Sequence, residues 1–303
     1  MKKKNHREAA KMELRYTVID PTKNITLLVT TPVPRDVQPR VAAELLRREK
    51  DAEQVGFAEG LAAGNPRLQM MGGEFCGNAT MSMAAWLHRE LPVGAERALT
   101  LPVSGAPQPV ACRITRIDGC FMGTVAMPLP ERIEQLSLPV GGVMQTFPVV
   151  HLPGICHVIA PAEVIDRARA EETLRSWSEL LSGEAMGLLL LEESQTAFTP
   201  LVYVKPTDSC VWERGCGSGS AAIGAWLTSV RGREQCVSLR QPGGVIQVVT
   251  RLAGEKLAAL TITGTVVIGK TKTAKIALYP FSADRFSRRP AFLAPKTDLY
   301  SGE

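Results

Sequence analysis

The sequence predicts an α/β protein of two pseudo-symmetric halves, each a strand-rich barrel wrapped around a central helix. Three observations carry that expectation. The first is an internal repeat: Cys76-Gly77-Asn78-Ala79-Thr80-Met81-Ser82-Met83-Ala84-Ala85-Trp86-Leu87 returns, 140 residues later, as Cys216-Gly217-Ser218-Gly219-Ser220-Ala221-Ala222-Ile223-Gly224-Ala225-Trp226-Leu227. The second is that strand-like and helix-like segments follow the same order on either side of about residue 140. The third is the make-up of the repeated helix. It is apolar or small all round, which marks a helix buried on every side rather than one lying on a surface.

The segments can be taken in order. Tyr16 to Asp20 and Ile25 to Thr31 are rich in β-branched residues and flank the turn Pro21-Thr22-Lys23-Asn24, which predicts a hairpin. Residues 36–51, with Val41, Leu45 and Leu46 between charges, predict a helix starting near Asp36. Glu53 to Glu59 and Arg67 to Met71 predict strands, and Cys76 to about Arg89 the first buried helix. Ala98 to Val103, Val110 to Arg116 and Cys120 to Met127 complete the first half.

In the second half Thr146 to Leu152 and His157 to Ala160 predict strands, Ala162 to Ser182 a helix, and Ala185 to Leu191 and Pro200 to Val204 strands. The Cys216 helix follows, then strands at Val237 to Arg240, Val245 to Arg251 and Leu257 to Gly269, the first two joined by a Gln241-Pro242-Gly243-Gly244 turn. The expected division is 12–140 for the Cys76 half and 141–272 for the Cys216 half, with 1–11 and 273–303 as terminal extensions.

Composition narrows the function classes. The chain has 303 residues, 45% of them hydrophobic and 21% charged, enough for a substantial core. A net charge of +5, spread along the chain, with 5% aromatic residues is not the basic, base-stacking face of a nucleic-acid binder. No apolar run approaches the length needed to cross a bilayer, and the basic start runs into polar residues rather than a signal-peptide core. Seven cysteines with no C-x-x-C pair fit neither a disulfide framework nor a zinc ribbon, so reduced thiols in a cytoplasm are expected. The expected partner is a small molecule, with no nucleic acid and no membrane; a homodimeric assembly is left open.

A cysteine followed by glycine at a helix start meets free backbone N–H groups and the positive end of the helix dipole. Both favour a thiolate, and the same amides can hold a carboxylate. Two such starts facing each other would clamp one carboxylate, with a thiol on either side of the adjacent carbon. That arrangement can remove an α-proton from one face and return one to the other. If the two dipoles stabilise the carbanion-like state, no metal, nicotinamide or pyridoxal is needed.

These residues also carry a resemblance. Cys76-Gly77-Asn78 in one half and Cys216-Gly217-Ser218-Gly219 in the other resemble the diaminopimelate epimerase-like superfamily of cofactor-independent, two-cysteine racemases. Within it the chain is most similar to the histidine racemases that start staphylopine-type metallophore synthesis. Asn24 to Val29, Glu53 to Phe57, Gly73 to Ser82, Pro200 to Tyr203, Trp212-Glu213 and Gln241 to Gly244 carry the likeness in order, over nearly the whole chain except its ends.

The resemblance implies the diaminopimelate epimerase-like fold and conversion of L-histidine to D-histidine without a cofactor. It implies Cys76 and Cys216 as acid–base thiols, with His157 assisting one and Glu213 the other. It implies that Gly77, Asn78, Gly217 and Ser218 bind the substrate carboxylate and that Asn24 contacts substrate. Cys112, Cys120, Cys156, Cys210 and Cys236 read as buried small hydrophobes, and no metal ligands are expected. Some features depart from the superfamily pattern. The first turn lacks the Gly-x-Gly-Asn-Asp-Phe of diaminopimelate epimerases, and Glu213-Arg214-Gly215 runs into Cys216 without their insert. Asn78 stands where proline racemases have His. Epimerisation of diaminopimelate, racemisation of another small amino acid, and a non-catalytic amino-acid-binding protein on the same fold are the competing expectations.

Overall fold

A computed structural model describes residues 10–278. The first part of the chain comprises β1 (Ala10–Pro21), β2 (Thr26–Val29), α1 (Gln38–Arg48), β3 (Gln54–Glu59), β4 (Arg67–Met70) and α2 (Gly77–Leu87). Then follow β5 (Glu96–Leu101), β6 (Val110–Ile117), β7 (Cys120–Ala126), β8 (Arg132–Val140), β9 (Val143–Leu152) and β10 (Ile155–Pro161). The remainder comprises α3 (Ala170–Ser178), β11 (Ala185–Leu191), β12 (Phe198–Val204), β13 (Ser209–Trp212), α4 (Gly217–Arg231), β14 (Cys236–Gln241), β15 (Gly244–Ala253) and β16 (Lys256–Leu278).

The architecture is α/β and strand-rich, with one large curled sheet and a second, smaller sheet. The large sheet runs β4-β3-β2-β1-β16-β7-β6-β5, with β15 on β16 and β14 on β15. The smaller one runs β13-β12-β11-β10-β9-β8. Strand β16 joins distant parts of the chain: it pairs in turn with β15, β7 and β1. Strands β8 and β9 form a hairpin from Arg132 to Leu152, across the expected division at 140/141. Ala10 and Lys11, and 273–278, belong to the β1–β16 ladder rather than to loose extensions; the rest of both expected extensions lies outside the described residues.

The placement of the repeated helices follows from their composition. In α2 every residue from Gly77 to Ala85 is buried, and the helix touches β1 to β7 and β16, so the large sheet curls around it. Helix α4 lies against β14, β15 and β16 on one side and β9 and β10 on the other. Both helices belong to one continuous core, with Met81, Met83, Ile223, Ile246, Val248 and Ile262 among its members.

The other two helices cover the outside. Helix α1 buries Val41, Ala42 and Leu45 against Leu27, Val29, Val55 and Phe57. It begins close to Asp36, as expected, with Val37 as its cap and no side-chain hydrogen bond there. Helix α3 buries Leu174 and Trp177 on the second sheet, where the Trp177 ring lies 5.4 Å from that of Phe147 and its Nε1 donates to the Pro139 carbonyl. It is shorter than the predicted 162–182 span. Asp166 accepts from the Ala168 amide and organises a separate short turn before the helix begins.

Candidate active site

Each repeat cysteine is the N-cap of its helix, in extended backbone, with its sulfur accepting from the amide three residues on. The Ala79 N–H reaches Cys76 Sγ at 3.4 Å and the Gly219 N–H reaches Cys216 Sγ at 3.3 Å. The next hydroxyl is used identically. Thr80 Oγ1 donates to the Cys76 carbonyl and Ser220 Oγ to the Cys216 carbonyl, both at 2.7 Å. Locally the two helix starts are the same device built twice.

The starts meet. Asn78 Nδ2 donates to the Gly215 carbonyl at 3.1 Å, tying the first turn of α2 to the residue before Cys216. Gly77 and Gly217 both face Ile262: a Cβ would lie 3.0 Å from its Cδ1 in the first case and 2.9 Å in the second. A side chain at Gly77 would also press on Met127, and one at Gly217 on the Asn78 amide. Asn78 Oδ1, buried between them, has no hydrogen-bond partner. The first-turn amides of both helices lack intrahelical acceptors, as at any helix start. Together these groups offer N–H donors and one free acceptor between two thiols.

The thiols have unlike partners. Cys76 is half-buried and donates its S–H to Gln54 Oε1 at 2.9 Å. Gln54 Nε2 in turn donates to Asn24 Oδ1 at 2.6 Å and Thr26 Oγ1 at 2.8 Å, and Asn24 Nδ2 donates to Glu53 Oε2 at 2.5 Å. Cys216 is buried beside the Glu213 carboxylate, whose charge acts on it, while Ser218 Oγ lies 3.5 Å from its sulfur. Its backbone N–H is held by Gln241 Oε1 at 2.6 Å, and Gln241 Nε2 donates to Ser220 Oγ.

His157 joins this second group through Ser218, whose Oγ lies 3.0 Å from Nε2. The ring is fully buried on β10 opposite Gly187 of β11, and a Cβ there would sit 2.1 Å from Nδ1. Burial pushes the imidazole pKa down to about 3, so the ring is neutral. Its Nδ1 has no partner, and a buried N–H without an acceptor is worse than a bare nitrogen. The single proton therefore sits on Nε2 and is donated to Ser218, whose hydroxyl is left to point at the Cys216 sulfur.

The electrostatics correct one expectation. Both thiols are held above, not below, the ordinary cysteine range. Burial pushes Cys76 up to about 12, with the carboxylates of Glu74 and Glu213 adding to it, against the amides of Ala79 and Asn78. Burial and the Glu213 carboxylate also raise Cys216. The helix-start amides do lower both, as expected, but desolvation outweighs them. Glu213 is itself raised by desolvation, which makes it able to accept a proton.

Of the residues expected from sequence, Cys76, Gly77, Asn78, Cys216, Gly217, Ser218, Glu213 and His157 converge at this junction. His157 and Glu213 both lie beside Cys216. Asn24 is buried, with its amide oxygen bonded to Gln54 and its nitrogen to Glu53, two hydrogen bonds from the Cys76 sulfur. Sequence reasoning gave no role to Gln54 or Gln241. The available signal was a glutamine inside, or ending, an otherwise apolar strand, where a buried amide must have partners. The other cysteines are free, with Cys112 and Cys156 buried; Cys236 is exposed and Cys120 and Cys210 are partly so, against the expectation that all were buried. Two cavities elsewhere, of about 420 Å³ beside the end of α4 and about 330 Å³ near Gly154, include neither repeat cysteine.

A histidine racemase from Fusobacterium nucleatum subsp. nucleatum is 28% identical over 245 residues, covering 78% of this chain and 89% of the relative. One from Staphylococcus aureus (strain Mu50) is 28% identical over 272 residues, 87% of this chain and 98% of the relative. Among solved structures, a hydroxyproline epimerase from Agrobacterium vitis superposes with a TM-score of 0.62 at 13% identity, covering 88% of this chain and 92% of that one; it shares the fold. The family model described as the histidine racemase CntK N-terminal domain matches residues 13–274. The chain belongs to this histidine racemase family, and it is an isomerase of the racemase type.

Proposed function

We propose that the chain racemises histidine at Cα without a cofactor, by a two-base mechanism shared between Cys76 and Cys216. The observation that supports it best is the meeting of two cysteine-capped helix starts, joined by the Asn78–Gly215 hydrogen bond. The substrate carboxylate lies at the first-turn amides of Gly77, Asn78, Gly217 and Ser218, and Asn78 Oδ1 is an acceptor for the α-ammonium. Asn24 acts from behind Gln54. In this reading the repeated helices are the centres of two pseudo-symmetric halves, at 12–140 and 141–272, that close on one substrate. Free thiols of this kind fit a cytoplasmic enzyme.

The proton steps balance as follows. Cys216 passes its proton to the Glu213 carboxylate, and the resulting thiolate is held by the Ser218 hydroxyl and the Gly219 amide. The thiolate then takes the α-proton, while the Cys76 S–H delivers its proton to the opposite face of Cα. Cys216 ends as thiol and Cys76 as thiolate, ready for the other enantiomer. Negative charge that develops on the substrate is stabilised by the two helix N-termini, whose amides are already oriented.

The test is incubation of L-histidine in deuterated water, without pyridoxal phosphate, followed by chiral and mass analysis. D-histidine carrying one deuteron at Cα is expected. Cys76→Ser and Cys216→Ser should each lower the rate by at least about 100-fold, the usual effect of removing an acid–base group. Full activity in both variants overturns the two-thiol mechanism, and a faster rate on another amino acid overturns the substrate assignment.

A further inference from the structure

The side of the site around Cys76 contains a chain of polar groups that ends on a carboxylate, and its direction can be worked out. A carboxylate only accepts, so Asn24 must turn Nδ2 toward Glu53, as observed at 2.5 Å. Its Oδ1 then faces Gln54, which can answer only with Nε2. Thr26 reinforces the choice: its hydroxyl donates to the Asn24 carbonyl at 3.4 Å, leaving its oxygen to accept from Gln54 Nε2 at 2.8 Å. What remains to face Cys76 is Gln54 Oε1, an acceptor that bonds an S–H and repels a thiolate. The polarity of the whole relay is set at its far end.

Cys216 is arranged the opposite way. Each sulfur accepts one helix-start amide, from Ala79 or from Gly219, but where Cys76 faces the Gln54 carbonyl, Cys216 has the donor Ser218 Oγ–H, and Glu213 can take its proton. We infer that Glu53 is a positioning residue: acting through Asn24 and Gln54, it holds Cys76 as the thiol, so that Cys76 is the first proton donor and Cys216, by passing its proton to Glu213, the first base. The inference rests on the two-thiol reading above. The groups facing the Cys76 sulfur are the amides of Asn78 and Ala79, the Gln54 amide, and the carboxylates of Glu74 and Glu213. Only the Gln54 amide can reverse its sense without a change of charge.

Glu53→Gln removes the constraint. A neutral amide can present either end, and the Thr26 hydroxyl can rotate, so Asn24 and Gln54 are free to flip and Gln54 can offer N–H to the sulfur. The readout is the rate of alkylation of each cysteine by iodoacetamide in the folded full-length protein at pH 8, followed by peptide mass mapping. In Glu53→Gln the rate at Cys76 should rise about tenfold relative to Cys216, as for a fall of about one unit in thiol pKa. Glu53→Asp keeps a carboxylate and should stay at the wild-type ratio.

Gln54→Met removes the acceptor itself and should raise the Cys76 rate likewise, which keeps the test open if Glu53→Gln does not fold. Buried Cys112 and Cys156 in the same digest monitor loosening of the fold. An unchanged Cys76 ratio in the folded variants, an equal rise in Glu53→Asp, or a parallel rise at Cys112 and Cys156 overturns the inference. Racemisation of histidine by the wild type is assayed alongside. A selective rise at Cys76 with no racemisation supports the positioning role and sinks the functional reading, so the two can fail separately.

Discussion

At the scale of single residues, the site depends on which polar groups are left without alternatives. His157 shows this: a neutral ring with one bare nitrogen has a single way to donate, and Ser218 receives it. Gly187 makes room for that ring. Gly187→Ala would place a methyl 2.1 Å from Nδ1, so the ring must leave Ser218 or the strands must part. We expect a loss of stability of about 1–3 kcal/mol, typical of overpacking, measured by denaturant unfolding, together with a lower kcat. Adding His157→Ala should restore the stability and not the activity; if it restores both, the ring has no role in the reaction. The cysteines and their following residues were legible because the sequence states them twice. Gln54 was not, because a glutamine in a strand has no local pattern that reveals a partner on another strand.

At the scale of elements, the repeated helices sit inside sheets because their small residues allow it. Gly224 of α4 faces β15, and a Cβ there would lie 2.4 Å from Val248 Cγ1. Gly224→Ala should destabilise by about 1–3 kcal/mol, and the double variant with Val248→Ala should recover most of that. The pair is in contact, so a double-mutant cycle reads their coupling directly; additive effects would mean that α4 does not approach β15 this closely. Most strands and both buried helices were legible from residue type and turn chemistry. Strand β8 was not. Its sequence, Arg132 to Val140, contains Pro139, and as the outermost strand of its sheet it buries only Leu138 fully. Strand β13 is four residues long and gave no period to detect.

At the scale of the whole molecule, stability should depend on pH through His157. Its pKa is about 3 in the fold against 6.5 as the ordinary value. Between those values the unfolded chain binds a proton that the folded one does not, so stability is complete above pH 6.5 and falls as the pH drops toward 3. The loss by pH 5 should be about 2 kcal/mol. Glu213 and Glu74, both raised by burial, act in the opposite sense over the same range, so the His157 contribution is read as the difference between wild type and His157→Gln in thermal unfolding from pH 7 to pH 4; identical profiles in the two mean that His157 does not contribute to acid sensitivity.

What the sequence determined by itself was the motif and its duplication. A cysteine, a glycine and a helix of small residues occur twice, which places a thiol beside the free amides of a helix start in each copy. Element type followed from local pattern, because propensity, turns and caps act over a few residues. Only the tertiary structure decided the rest. It brought the two starts together through Asn78 and Gly215, 137 residues apart in the chain. It closed the large sheet by pairing β16 with β1, β7 and β15. It placed both His157 and Glu213 at Cys216 and gave Cys76 an amide instead. The reason is physical: burial and hydrogen-bond direction depend on every neighbour at once. The pKa of a thiol therefore follows from the packed site, where desolvation overcame the helix starts that the sequence had advertised.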